Sequence, residues 1–419
     1  MTIAARSPPI FSAPLRAILR VLREREILRV EETVLSFVIS RRRLSGDTGE
    51  ELHAALDLQA QNQRRMAELK GSLFVRAAVA AQSLLRWLKG TLPRGGAQPT
   101  YTVTGGAGAS VTPGPTWDVA AVVPFGSAFP APSFQRPVGV VAHIYYPDLA
   151  ALLRSYVERI PGPVDIYAST DTPSKREYIL QAFDGWAAGT VEVRLAPNCG
   201  RDVAPKLIGF RDVFERYEIV LHLHGKRSPH DVSLRLWREY ILETLAGDRP
   251  SVGSILAAFE QRPDLGLIAP QHYFAVRNSV DWGGNLAGAQ VLAARMGFGL
   301  DPTARLDFPS GSMFWARSAA LRPLLDLNLS TQDFEPEEGQ IDGTLAHAIE
   351  RLYFHACEQA GYRWLKIVRN ELCPASVGVA APIEDASDLA ALLDAGPALR
   401  RNPQTLRTAH RGAGVGESE

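Results

Sequence analysis

The chain has 419 residues, 46% of them hydrophobic, enough for at least one large buried core and for two or three structural units. Its formal net charge is +0, so no whole-chain field points to nucleic acid, although residues 1–99 carry 16 Lys or Arg against 9 Asp or Glu. Three widely spaced cysteines, Cys199, Cys357 and Cys373, fit neither a disulfide framework nor a zinc pattern, which predicts a reducing, cytoplasmic setting.

The first residues lack an apolar run ending at a small-residue cleavage site, and no stretch offers about 18 consecutive apolar residues. Neither a secretory leader nor a membrane-spanning anchor is therefore expected. Helical periodicity at 14–43 and 50–92 predicts an N-terminal helical region over 1–92. Within it, LFVRAAVAAQSLLRWLKG places Leu73, Phe74, Ala77, Ala81, Leu84, Leu85 and Leu88 on one stripe, with Arg76, Arg86 and Lys89 towards the other side. Such a helix either lies among the headgroups of an anionic membrane or packs on the protein itself, within one chain or across a homo-oligomer. Residues 93–135 have the Gly, Pro, Ser and Thr content of a linker, with one short strand around 101–103.

The pattern changes at residue 136. Apolar runs predict strands at 138–144, 164–168, 191–195, 219–223, 265–269, 308–315 and 362–368. Helical patterns fall between them at 148–159, 174–183, 203–216, 234–246, 251–261, 318–325 and 344–360, whereas 271–307 reads as Gly-rich and irregular. Strands alternating with helices predict an α/β domain over 136–375: a mostly parallel, Rossmann-type sheet with helices on both faces. Residues 376–419 read as one apolar helix, 386–393, and a polar flexible tail.

In open α/β sheets ligands bind beyond the carboxyl ends of the strands, and the polar clusters of this chain fall there. After the strand at 191–195, Asn198 and Gly200 suit a tight turn, Arg201 can reach a ligand, and Asp202 caps the next helix or joins it. The strand at 219–223 runs into His222, His224, Lys226 and Arg227; alternate residues share a face, so the two histidines either pack together or meet a ligand together. Asp171 follows the strand at 164–168, where a base or ribose binds or an ordinary helix begins. Ser310, Gly311 and Ser312 would let a ligand approach backbone, with Trp315 stacking on it or buried in the core. Crowding of Glu337, Glu338 and Asp342 is expected to raise their pKa values, making Glu338 and Asp342 the general-base candidates, while Glu337 suits a helix N-terminus. His347 and Arg351 share a helix face and can touch one anionic ligand.

Four strings, NCGRDVAP at 198–205, LHLHGKRS at 221–228, FPSGSMFWAR at 308–317 and EEGQIDGTLAHAIERL at 337–352, together resemble the rhamnan synthesis protein F family. The resemblance implies a GT-A-like glycosyltransferase of bacterial cell-surface polysaccharide assembly. It further implies inverting transfer of L-rhamnose from dTDP-L-rhamnose to a polysaccharide or lipid-linked glycan, and the basic amphipathic stretch at 73–89 would place that activity peripherally on the inner face of the cytoplasmic membrane. Where that layout carries an Asp-x-Asp motif for Mg²⁺ or Mn²⁺, this chain has His222-Leu223-His224. Arg201, His222, His224, Lys226 and Arg227 are then expected to meet the diphosphate in place of a metal, although imidazoles can also bind one. Two other classes fit the same residues: a catalytically silent glycan-binding or assembly protein, and a metal-dependent hydrolase using His222 and His224. If residues 73–89 form an interfacial helix, deleting residues 1–95 abolishes binding to anionic vesicles and leaves donor hydrolysis intact. Unchanged vesicle binding by the truncated protein contradicts that helix.

Overall fold

The computed structural model describes residues 118–133, 136–225, 236–337, 342–372 and 379–394, the helix α1 (Glu50–Gly71) and scattered positions among residues 24–40. The chain forms two compact units, Met1–Val111 and Thr112–Glu419. In the first, Leu28 and Leu69 are buried with Met66 packed beside them, and the Asn62 amide donates to the buried Glu31 carboxylate at 2.8 Å. The amphipathic segment 73–89, the short strand at 101–103 and Cys373 lie outside the described residues. No helix among the described residues is long and apolar enough to cross a membrane.

The second unit is built on nine strands: β1 (Val119–Val123), β2 (Val138–His143), β3 (Val164–Thr170), β4 (Val191–Leu195), β5 (Ile219–His224), β6 (Leu265–Pro270), β7 (Phe314–Arg317), β8 (Arg363–Arg369) and β9 (Val379–Ala381). Their order is β4-β3-β2-β5-β7-β6-β8-β1-β9. Every pairing is parallel except those of β7, which runs antiparallel to both β5 and β6. All other carboxyl ends therefore open on one rim, and the chain enters β7 from that same rim. Every residue of β2 and of β6 is buried, as both faces of a covered parallel sheet require.

The helices of this unit are α2 (Ala150–Val157), α3 (Pro173–Ala182), α4 (Arg211–Arg216), α5 (Trp237–Ala246), α6 (Arg249–Gln261), α7 (Leu286–Arg295), α8 (Arg322–Leu325), α9 (Leu345–Glu350), α10 (Tyr353–Gln359) and α11 (Ala386–Asp394). The Rossmann-type α/β expectation holds. Five local readings change, the first being the strand read at 308–315, of which only Phe314 and Trp315 belong to β7 while 308–313 form the turn that leads into it. β1 and β9 stand in stretches that read as linker and tail: both are short, and each finds its hydrogen bonds in a distant strand. α7 lies inside the stretch that reads as irregular, where Ala289, Leu292 and Ala293 form its buried stripe. The helix read at 203–216 holds a π-helical turn, Pro205–Gly209, and breaks at Phe210, whose φ is −125°. The helix read at 344–360 divides into α9 and α10.

A groove of about 1180 Å³ opens on the opposite rim, beside the amino ends of β2, β5 and β8. Arg136 and Arg317 on its walls both pair with Glu218, and Arg322 pairs with Asp326. It lies away from the strand ends where ligands bind in such sheets.

Gly266 sits at the register shift of β6 against β8. A Cβ there would stand 2.5 Å from the Tyr362 Cβ and 2.6 Å from the Ala320 Cβ, both on packed elements. Gly266→Ala is expected to destabilise by about 1–3 kcal/mol through overpacking, read as a lower denaturation midpoint. Gly299→Ala, where a Cβ meets nothing within 4 Å, should be near neutral, and equal effects of the two would contradict this packing.

Candidate functional site

Register lines up the rim. In the β2–β3 pair His143 stands opposite Ser169, and in the β2–β5 pair it stands opposite His224, so Ser169, His143 and His224 sit side by side at one level. Side chains two apart share a face, which puts His222 one step deeper, across from Phe314 of β7. The His143 Nδ1 lies 3.0 Å from the Ser169 Oγ.

Against this row folds the turn that leads into β7. Gly311 and Ser312 have φ of 90° and 58°, the left-handed region that a serine rarely occupies. Four contacts hold it there. The His222 Nδ1 donates to the Ser312 carbonyl at 2.5 Å, the His224 Nε2 donates to the Gly311 carbonyl at 2.7 Å, and Glu350 accepts the Gly311 N–H at 2.9 Å. The Ser310 hydroxyl stands 2.9 Å from the His272 Nδ1.

The Ser312 hydroxyl donates to the Asp202 Oδ2 at 2.6 Å and accepts from the Lys206 Nζ at 3.2 Å. Lys206, only 1% exposed, lies in the π-helical turn, 3.6 Å from Asp202 and over the rings of Tyr353 at 4.4 Å and Phe314 at 5.0 Å. Burial pushes its ammonium down to about 8, partly opposed by Asp202 and Glu350. Burial alone would raise the Asp202 carboxyl, yet the neighbouring His224 and Lys206 and the hydrogen bond from the Ser312 hydroxyl hold it well below the carboxylate range. His222 has no exposed surface; burial and then Lys206 push it far below its ordinary value, so it is the neutral imidazole that donates from Nδ1. Its Nε2 stands 3.8 Å from the Asp202 Oδ2.

A second group lies along the same rim. Asp342 accepts from the Asn285 amide at 2.7 Å and from the Gly284 N–H at 3.0 Å, with Arg351 at 3.5 Å. Burial raises its carboxyl, but Asn285, Gly284 and Arg351 outweigh that and leave it below the usual range. The expected elevation by crowded carboxylates is thus reversed, because the described neighbours of Asp342 are donors. Glu337 accepts the backbone N–H of Arg201 at 2.6 Å and ties down the turn at 198–202. Gly200 in that turn has φ of 67°, and a Cβ there would come within 2.5 Å of the Phe334 ring. Asn198 and Arg201 are exposed on it. His347 pairs with the Thr344 hydroxyl at 2.8 Å and is pushed down to about 4 by burial and then by Arg201. The Arg351 guanidinium donates to the carbonyls of His347 and Asp281, both at 3.0 Å.

Asp202, His222, His224, Ser310, Gly311 and Ser312 thus come together, and Arg201, Glu337, Asp342, His347 and Arg351 form the neighbouring group. Asp171 lies beyond His143, paired with Lys175 at 2.6 Å. Lys226, Arg227 and Glu338 lie outside the described residues. Two readings are corrected. Trp315 cannot stack on a ligand, since it is fully buried and donates to the Leu245 carbonyl on the other face of the sheet. Asp202 caps no helix, because its carboxylate is turned to Ser312 and Lys206. Among the described residues no group of three or more His, Cys, Asp or Glu side chains is placed to hold a metal ion.

The sequence reading passed over His143, Ser169, Tyr353 and above all Lys206. Lys206 stands four residues after Asp202, the spacing that places two side chains on one helix face, and that signal was available.

The sequence pattern of the family described as Rhamnan synthesis protein F matches residues 130–362. Two relatives, both described as uncharacterized protein WxcX and from two strains of Xanthomonas campestris pv. campestris, are each 38% identical over 226 residues. That stretch is 54% of this chain and 32% of theirs, so the chain spans about a third of the relatives' length. Residues 130–362 include the whole rim cluster and the group beside it.

Burial pushes His143 down to about 4 from 6.5. Between those two values the unfolded chain binds the proton that the fold refuses, so stability falls as pH drops from 6.5 to 4. The gap corresponds to roughly 3 kcal/mol. Denaturation midpoints measured across this window should therefore fall more steeply in the native protein than in His143→Gln, and parallel curves would contradict it.

Proposed function

The chain belongs to the rhamnan synthesis protein F family, and from that premise we propose that it is a glycosyltransferase of polysaccharide assembly. In this reading it moves L-rhamnose from dTDP-L-rhamnose to a surface polysaccharide or lipid-linked glycan. The observation that carries it is the convergence of Asp202, His143, His224 and the 310–312 turn at the carboxyl rim, with Arg201, His347 and Asp342 alongside. A parallel sheet with one antiparallel strand entering from its ligand rim is compatible with a GT-A-like domain.

Glycosyl transfer requires donors or cations at the departing diphosphate and a base for the acceptor hydroxyl. Arg201 supplies charge at the rim, and Lys226 and Arg227 follow β5 directly in sequence. Inversion needs one base. Asp342 is 37% exposed on its side chain, and Asn285 and Gly284 hold it in one orientation while it stays ionised at neutral pH. It is thus ready to take the proton as the acceptor oxygen bonds to the anomeric carbon; Glu338 is the second candidate. The basic N-terminal region would keep the protein peripherally on the inner face of the membrane.

The test is nucleotide release by the purified protein from a panel of nucleotide sugars offered with glycan acceptors. Asp342→Asn should lower turnover by about 10²–10⁴ and leave donor affinity unchanged, because the lost carboxylate acts on the acceptor. Full turnover by this variant moves the base elsewhere. If the native protein releases nucleotide from no donor, the silent glycan-binding reading replaces this one.

A further inference from the structure

We propose that Asp202 receives the hydroxyls of the donor sugar and that Lys206 is the residue that positions it, so that the sugar ring lies against His143 and His224 and the diphosphate lies on the Arg201 side. This assignment rests on the glycosyltransferase reading and adds the division of the rim into two subsites.

Asp202 reaches the rim with one tenth of its side chain exposed, and its two oxygens differ. Oδ2 takes the Ser312 hydroxyl at 2.6 Å, whereas Oδ1 makes no hydrogen bond among the described residues. The nearest imidazole nitrogen to Oδ1, the His224 Nε2 at 4.0 Å, already donates to the Gly311 carbonyl. An ionised carboxylate accepts hydrogen bonds and donates none, so this oxygen suits a hydroxyl and repels a phosphate. His143 stands at the same level with its Nδ1 held by the buried Ser169 hydroxyl, which fixes the ring and leaves its Nε2 as the polar atom of that residue that a polyol could meet.

Lys206 cannot itself be a phosphate ligand. Its ammonium is enclosed by Ser312, Asp202, His222 and the rings of Phe314 and Tyr353. A buried charge acts through its partners, and here the partners are Asp202 and the serine that anchors it. Arg201, one residue earlier, has φ of 54° and is exposed, which sends the adjacent cation away from the carboxylate.

The experiment is calorimetric binding of dTDP and of dTDP-L-rhamnose to the full chain and to Asp202→Asn, Lys206→Met and Ser312→Ala. The native protein should bind the nucleotide sugar more tightly than the nucleotide. Asp202→Asn and Lys206→Met should each lose about tenfold or more of that gain, the worth of a hydrogen bond to a charged group, and leave dTDP affinity unchanged. Ser312→Ala, which retains both charges, should lose part of the gain, and it carries the test if the charge variants fail to fold. Equal losses for the two ligands would mean a purely structural pair and overturn the proposal, as would an unaltered sugar gain. A native protein that binds neither ligand sinks the glycosyltransferase reading and this assignment with it, an outcome distinct because dTDP itself then fails.

Discussion

Two histidines of one strand hold two successive peptide carbonyls, His222 that of Ser312 and His224 that of Gly311, and the geometry of the rim depends on this clasp. A non-glycine residue in the left-handed region costs on the order of 1 kcal/mol or more, so Ser312 keeps its φ of 58° only because its surroundings over-determine it. The same conformation turns the Ser312 hydroxyl to Asp202 and Lys206 and delivers the chain to the rim end of β7. From there the strand can only run back between β5 and β6, antiparallel to both. A glycine at 311 is equally required, because a Cβ would meet the Ile241 side chain at 2.7 Å where φ is already 90°.

The long loop that carries this turn is pinned by charge as well. Lys366 in β8 pairs with Asp118 and with Asp307 at 2.7 Å, and Asp307 pairs with His272 at 2.9 Å, which in turn holds Ser310. Ser310 and Ser312 thus join two buried ionic clusters that enter from opposite sides of one turn. Replacing a buried pair by apolar groups is often neutral, whereas removing one partner costs about 3–5 kcal/mol. Such clusters therefore do little to favour folding but strongly disfavour any path for the loop that separates a charge from its mate.

What could be read from the sequence follows from how local each cause is. The strands of the sheet centre are apolar runs long enough to announce themselves, and β2, β3, β4, β5, β6 and β8 stand within a residue or two of their expected positions. β1 and β9 are short and owe their existence to β8 and to each other, a cause that no window of sequence contains. The site divides in the same way. His222 and His224 were legible as a pair because alternation along a strand is local, and Asp342 and Arg201 because turns flank them. That the histidines serve backbone carbonyls, and that Asp202 turns inward instead of capping a helix, depends on a loop about a hundred residues later in the chain. Lys206 was hidden for the opposite reason: a lysine after a proline in a helical pattern reads as a solvated charge, and only Phe314, Tyr353 and Ser312 enclose it.

The turn at 198–202 separates opposite charges by a single peptide unit. Gly200 and Arg201 both lie in the left-handed region, with φ of 67° and 54°, so the chain reverses and Arg201 and Asp202 leave it on different sides. Arg201 is left in solvent, where its field raises the cost of a proton on His347, while Asp202 is driven inward to a lysine that cannot leave. A ligand with one anionic end and one neutral, hydroxyl-rich end matches that polarity in one direction only; reversed, it would set anion against carboxylate in a partly dehydrated cleft, where repulsion is weakly screened. Orientation at this rim would then be decided by where two neighbouring residues point, and Glu337, by accepting the Arg201 N–H, fixes that turn from outside.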